Sequence, residues 1–337
     1  VLTSAVDPAA EAARANADKD LYLTHAIVMG LAGTKNGSVL SEAVTDSSPA
    51  VRSAVLLAYR RLGDPAVARF LKDADKEIVL EAARAINDEP IEAAYADLAA
   101  ALDSEFADDP SFANRAINAH FRLGKPANAQ ALADYAASGS HDNAFRIEAL
   151  TQLATWADPL QRDRIIGNFR PLESRPAEVA AKALEAVSDT ILTSAPGEVQ
   201  AMYIAAAKKL GMTSVADQLY ALVLDESQDG AARVAAFNTL DEQDDPRMDE
   251  LVLSASQSNA SELRLATLPL VAERSPEQAK VTLGLMVEGS FEEQRAAYDS
   301  LAKTDQPFAA ELLAESLDRL AKNDVPLAAQ LELLEAT

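Results

Sequence analysis

The side chains that most often carry out chemistry are scarce in this sequence. It contains no cysteine, which excludes disulfides, thiolate metal sites, cysteine nucleophiles and covalent haem attachment within the chain. Its three histidines, His25, His120 and His141, do not stand at metal-ligand spacing from one another, and Gly-x-Ser-x-Gly is absent. His25 and His120 fall on helical periodic patterns and are interpreted as structural or surface residues, and His141 falls in a polar turn. We therefore predict no catalytic residue, no metal site and no cofactor.

A few other stretches imitate binding sites. Residues 225–230 place oxygen ligands and a glycine as at the start of a calcium loop, but the twelfth position is Ala236 instead of a bidentate carboxylate. A helix end followed by an N-cap is the favoured interpretation. The acidic turn 241–245 is interpreted as solvated, with a cation or a basic partner as the alternative. Residues 33–37 lack the spacing of a phosphate-binding loop and are predicted to form a turn. Trp156 is predicted to pack between helices.

Composition restricts both fold and partners. The chain has 337 residues, 12 glycines, 5% aromatic residues and a net charge of −23. Such a charge repels phosphates, so we expect no nucleic-acid partner, and anionic lipid surfaces are disfavoured as well. No apolar run is long enough to cross a membrane. The acidity indicates either solubility or attraction of a basic protein. Because the chain opens on Val1, we expect an excised or processed piece.

An arginine precedes a proline at a nearly fixed distance through most of the chain. The interval is thirteen residues in three copies, each with an aspartate directly before the proline: Arg52 with Asp64-Pro65, Arg146 with Asp158-Pro159, and Arg233 with Asp245-Pro246. Copies that begin at Arg264 and Arg295 keep an interval of twelve residues, and these two arginines are themselves 31 residues apart. Self-similarity at such a period is typical of a solenoid, in which stacked neighbours bury each other's apolar faces.

Each copy is predicted to be a helical hairpin. In the clearest copy, Pro49 begins a helix, Gly63 ends it in the left-handed conformation, and Asp64-Pro65 caps and begins a second helix. Gly124 and Pro126 repeat this arrangement, and residues 143–169 are predicted to do so with Asp158-Pro159 as the turn.

We therefore predict an all-α fold, a right-handed α-solenoid of nine or ten hairpins in one domain over residues 1–337. Residues 1–45 form an irregular N-terminal cap or junction, and residues 46–337 form the repeats. The match weakens over residues 76–102 and 176–192, where a kink or a change of curvature is expected.

The arginine positions resemble those of HEAT repeats of the short bacterial type. In that family, the arginine lies on the inner helix of each hairpin and pairs with an acid near the turn of an adjacent repeat. The resemblance implies a ladder formed by the following residues: Arg52, Arg146, Arg233, Arg264, Arg295, Asp46, Asp142 and Asp229. Such partly exposed pairs are worth about 0 to 1 kcal/mol each, so we expect them to set register more than stability.

Longer phrases resemble one group of HEAT proteins more closely. Residues 22–32, 115–124, 146–159 and 317–326 are similar to the HEAT segment of large exported proteins of planctomycetes and related bacteria. Those proteins are described as membrane-bound dehydrogenase-like, with a sugar-dehydrogenase-like β-propeller before the helical segment and a c-type haem domain after it. The resemblance implies a periplasmic or otherwise exported location and redox chemistry outside this segment.

These observations predict a non-catalytic scaffold that spaces or docks other domains or proteins. An independent acidic scaffold for a basic protein is the alternative. A HEAT-like enzyme, such as a DNA glycosylase or a bilin lyase, fits least well, because a glycosylase needs a basic channel for DNA. The sequence does not indicate the oligomeric state.

Overall fold

A computed structural model describes residues 6–35 and 40–337, and in these residues the protein is all-helical, with no β-sheet. The chain forms two compact units, Val1–Val187 and Ser188–Thr337. The division falls inside residues 176–192, where the repeat pattern weakens. Of the predicted turn at 33–37, Gly33 is the last residue of a helix, and residues 36 and 37 lie outside the described residues.

The first unit alternates longer and shorter helices. The α-helices are α1 (Val6–Asn16), α2 (Leu21–Gly33), α3 (Pro49–Leu62), α4 (Lys76–Asp88), α5 (Tyr95–Ala100), α6 (Pro110–Leu123), α7 (Pro126–Ala137), α8 (Asn143–Ala154) and α9 (Ala177–Ala186). Pro65–Lys72 and Glu92–Ala94 form 3-10 helices.

The second unit continues the alternation of helices and short turns. Its helices are α10 (Ser188–Ser194), α11 (Gly197–Lys209), α12 (Ala216–Leu224), α13 (Gly230–Glu242), α14 (Met248–Ala255), α15 (Ser261–Arg274), α16 (Pro276–Met286), α17 (Phe291–Ala302), α18 (Pro307–Ala321) and α19 (Leu327–Glu335). Within the described residues, no helix has the length and apolar character needed to cross a membrane.

Helix boundaries follow from the capping residues. Gly63 and Gly124 directly follow α3 and α6 in the left-handed conformation, with φ of 64° and 67°, which a residue with a side chain adopts only at a cost. Asp64 caps the next helix by accepting a hydrogen bond from an amide of its first turn, at 2.9 Å. Pro65 and Pro126 occupy the first helical position, where the missing N–H costs nothing.

Two predicted turns do not lead directly into helices. Pro246 lies within a turn, and α14 begins two residues later. Asp245 accepts a hydrogen bond from the Arg247 amide and pairs with the Arg247 guanidinium. The prediction that Pro159 begins a helix after Asp158 is wrong. The whole segment 155–176 is irregular, and a helix resumes only at α9.

Packing within each unit follows two layers. In the first unit, α3 contacts α4, α4 contacts α6, and α6 contacts α8, while α7 and α9 pack together in the second layer. In the second unit, α11, α13, α15, α17 and α19 contact one another in that order, and α10, α12 and α14 form the other layer. Alanine, leucine and valine fill most of the buried positions, and Trp156 is fully buried, as predicted.

Candidate functional site

The segment 155–176, which we call the strap, is irregular but internally hydrogen-bonded. An isolated antiparallel bridge joins Arg162 to Phe169. The Asp163 amide donates to the Asn168 carbonyl, and the Gly167 amide donates to the Asp163 carbonyl, both at 2.9 Å. A long loop in a compact unit is usually functional or disordered, and these bonds give the strap a defined hairpin.

Asp163 anchors the strap to α6. Its side chain is fully buried and accepts hydrogen bonds from the Ile165 and Ile166 amides, at 2.9 and 3.2 Å, and from Asn118 of α6, at 3.0 Å. Arg170 approaches the same carboxylate at 3.1 Å, and Arg122 lies 3.6 Å away. The two local amide bonds compete with helix formation, and the buried charge ties the strap to α6.

The strap also brings cations to the ends of helices. Arg170 donates to the carbonyl of Asn87, in the last turn of α4, at 2.9 Å, and to the Tyr95 hydroxyl. Arg175 donates to the carbonyl of Phe121, in the last turn of α6, at 2.5 Å, and to the Trp156 carbonyl at 3.2 Å. Helix C-termini carry unpaired carbonyls and partial negative charge. The carbonyls at these helix ends therefore compensate the positive charges of Arg170 and Arg175, which the single carboxylate of Asp163 does not balance.

Arg175 is held between two aromatic rings. Its guanidinium carbon lies 4.0 Å from the Trp156 ring centroid and 4.4 Å from that of Phe121. A Cβ at Gly124 would meet the guanidinium at 2.5 Å, so this turn needs glycine for space as well as for backbone angle. Burial, with a smaller contribution from Arg122, lowers the pKa of Arg175 to about 10, and the group remains cationic at neutral pH.

The outer side of the strap exposes an apolar and cationic face. Phe169 is 66% exposed and Leu160 is 50% exposed, with the exposed Arg162 opposite Phe169 across the bridge. We call these three residues the strap face. Arg164, beside them, is neutralised by two hydrogen bonds to Glu148, at 2.8 and 2.7 Å. Exposed aromatic and arginine side chains on a rigid support are typical of protein contact sites.

Four of the five predicted ladder arginines contact carboxylates other than the predicted ones. Arg52 is paired with Asp73 at 2.8 Å. Arg264 is paired with Glu293 at 2.6 Å, and this pair links α15 to α17. The remaining pairs are Arg233 with Glu226 and Arg295 with Glu332. Arg146 instead donates to the Ala136 carbonyl and to Asn143, and burial lowers its pKa.

The three predicted acids have local roles. Asp142 and Asp229 cap α8 and α13 by accepting hydrogen bonds from first-turn amides, at 2.9 and 3.1 Å. Asp46 accepts the Ser48 amide and pairs with Arg14, and Arg52 reaches only the carbonyl of Asp46, at 2.8 Å. This corrects the ladder pairing. An aspartate just before a helix satisfies amides that have no other partner, so its carboxylate is engaged there and does not pair with the predicted arginine.

The histidines lie apart from the strap face. His120 is buried, with its two ring nitrogens 2.8 Å from the Ala99 carbonyl and 3.0 Å from the Asn128 amide, and burial lowers its pKa. His141 stacks on Tyr135 with ring centroids 4.0 Å apart. His25 is exposed on α2.

In the calcium-like stretch, Asp225 accepts the Ser227 amide and hydroxyl, and Glu226 pairs with Arg233. Glu226 also accepts hydrogen bonds from the Ser258 hydroxyl and the Asn259 amide, so its carboxylate joins the turn to the next repeat. The structure therefore agrees with a helix end and a cap in this stretch.

No protein-family model matches the chain, and no curated protein matches it. Among solved structures, the crystal structure of an engineered protein from the Northeast Structural Genomics Consortium is similar over 99% of this chain and 88% of its own, with 18% identity and a TM-score of 0.36. This similarity is too weak to support an argument about function.

Proposed function

We propose that this chain is a non-catalytic scaffold, built as HEAT-like helical hairpins and presenting the strap face to another protein or domain. The prediction of nine or ten hairpins in a right-handed solenoid is part of this proposal. It is supported by the two layers of helices in each unit and by ion pairs between successive hairpins, such as Arg264 with Glu293 and Arg295 with Glu332. A solenoid is held together by such contacts between neighbouring units.

The observation that carries the proposal is the difference between the two sides of the strap. Its inner side buries Asp163 with Arg170 and caps helix ends, which fixes the backbone. Its outer side leaves Phe169 and Leu160 in solvent. A contact surface that is already ordered loses little conformational entropy on binding, and this favours affinity. Single exposed apolar side chains are normal in soluble proteins, so it is the combination of Phe169 and Leu160 with Arg162 on one ordered segment that supports a contact surface.

We further propose that the partner is an adjacent domain of a larger exported polypeptide. The support is the similarity of residues 22–32, 115–124, 146–159 and 317–326 to the HEAT segment of exported dehydrogenase-like proteins. In that arrangement the chain is a spacer, and the sugar chemistry and the c-type haem belong to its neighbours.

The test is site-specific photo-crosslinking in the native polypeptide, expressed in its source cells. A photoreactive phenylalanine derivative replaces Phe169 in one variant and Leu224, which is 41% exposed, in a control. We expect one defined adduct from position 169, to a neighbouring domain or a single partner, and none from position 224. No adduct at 169, or the same adducts at both positions, would refute the strap face as the contact surface. Staining of the native polypeptide for covalent haem tests the multidomain part separately.

The net charge of −23 favours a second candidate, an independent acidic scaffold for a basic protein. Association driven by charge weakens steeply as salt rises, whereas contact through Phe169 and Leu160 depends little on salt. Measuring the affinity for the crosslinked partner at low and high salt separates the two.

A further inference from the structure

Helix α2 leaves an apolar face uncovered, far along the chain from the strap. Its buried residues, including Ile27 and Leu31, are on the side that packs against α1 and α3. Tyr22, on the outward side, is 91% exposed, and Leu21, the first residue of the helix, is 76% exposed. A groove of about 570 Å³ runs between α2 and α3, lined by residues that include Leu21, His25, Met29, Leu57 and Arg61. The groove is large enough to receive side chains from another helix.

Helix α19 presents a matching ridge. Leu327, Leu331 and Leu334 are 85%, 63% and 57% exposed and fall at i, i+4 and i+7, so they lie on one side of the helix. Ala329 and Leu333 are buried on the opposite side, where α19 packs against α17. An exposed stripe of three leucines is unusual for a helix whose other face is already satisfied.

We propose that the α2 groove of one copy of this chain binds the α19 ridge of a second copy. The lengths agree: the seven helical steps from Leu327 to Leu334 span about 10 Å, and the eight steps from Leu21 to Met29 span about 12 Å. The charges also agree, because Arg61 lines the groove and the exposed Glu335 follows the ridge.

This contact joins two different surfaces, so association ends in a closed ring or continues as an open chain of copies, and in both cases the average mass rises with concentration. Two copies that each carry a charge of −23 also repel each other, and salt screens this repulsion. Self-association is thus strengthened by salt, the opposite of the behaviour expected for binding a basic protein. It is also independent of the strap face.

Sedimentation equilibrium of the purified chain tests the proposal. The protein concentration is varied from about 1 to about 100 μM. Each series is measured at about 0.05 and 0.5 M NaCl, where the Debye lengths are roughly 14 and 4 Å. The average mass is expected to rise with protein concentration and to rise further at high salt. Met29→Asp in the groove and Leu331→Asp on the ridge each weaken association by roughly 30-fold or more, because each buries a charge within the contact. An equimolar mixture of the two variants forms a one-to-one dimer and stops there.

The mixture is the decisive measurement. The Met29→Asp variant keeps an intact ridge and the Leu331→Asp variant keeps an intact groove, so the two can still bind each other. Leu253→Asp, at a leucine 41% exposed on α14, is the control and leaves association unchanged. Arg61→Glu weakens association about two- to fivefold, and adding Glu335→Arg restores it. A wild-type chain that is monomeric at every concentration and salt would overturn the proposal, and so would a mixture of the two variants that stays monomeric. Circular dichroism confirms that each variant is folded.

Discussion

Replacing the buried Asp163 by asparagine removes one negative charge and changes the size of the side chain little. In the variant, Arg170 and Arg122 stay near a neutral group, and an amide nitrogen replaces an oxygen that accepts from Asn118 or from the strap amides. Breaking a buried ion pair on one side costs about 3 to 5 kcal/mol, since it leaves an uncompensated charge. We expect Asp163→Asn to lower the stability of the first unit by about this amount, and its melting temperature by roughly 6 to 20 °C.

Trp156 makes the measurement specific. It is the only tryptophan, it is fully buried, and it lies against the Arg175 guanidinium at the start of the strap. Urea unfolding followed by its fluorescence therefore reports the first unit even if the second unfolds separately. Asp158→Asn, at an exposed position of the same strap, is the matched control and is expected to change stability by less than about 0.5 kcal/mol. A loss below about 1 kcal/mol in Asp163→Asn would refute the argument that this carboxylate anchors the strap.

Three further predictions concern caps, protonation and ion pairs. Gly63→Ala is expected to lower the free energy of unfolding in urea by about 1 to 2 kcal/mol from backbone strain alone. Gly124→Ala should lower it more, because the added methyl group meets the Arg175 guanidinium. Equal losses in the two variants would contradict this close approach. Burial lowers the pKa of His120, so the unfolded chain takes up a proton near pH 6.5 that the folded chain does not. The free energy of unfolding should therefore fall by up to about 1 kcal/mol between pH 7 and pH 5.5. His120→Gln should remove this pH dependence. Arg264→Gln leaves the buried Glu293 carboxylate without its partner and should cost about 3 to 5 kcal/mol. Arg295→Gln, at a half-exposed pair, should cost less than about 1 kcal/mol. Similar costs at both positions would show that burial does not set the strength of these pairs.

The helices could be predicted because their boundaries depend on local chemistry. Proline at the first position of α3 and the left-handed Gly63 after it act within a few residues, and both are legible in the sequence. The strap could not be predicted by the same reasoning. Asp158-Pro159 copies the turn of other repeats, while the residues that prevent a helix, such as Gly167 with φ of 72° and Pro171, come later in the segment.

The partners in the ion pairs also lay beyond sequence reasoning. Arg52 selects Asp73 over the Asp46 carboxylate because capping and packing fix where each acid points, and these depend on three-dimensional contacts. The same limit applies to the contact of Arg170 with Asn87, which are 83 residues apart. Net charge and repeat spacing indicated a scaffold, but they carried no information about which surface would be exposed.

Amide hydrogen exchange of residues 155–176 measures whether the strap is ordered before any partner binds. The amides of Ile165, Ile166 and Gly167 donate to Asp163, and that of Arg170 donates to Gln161. We expect these amides to be protected to a similar degree as those of α6, and to lose protection in Asp163→Asn while α6 keeps it. Unprotected exchange of the strap in the wild-type chain, with α6 protected, would contradict the account.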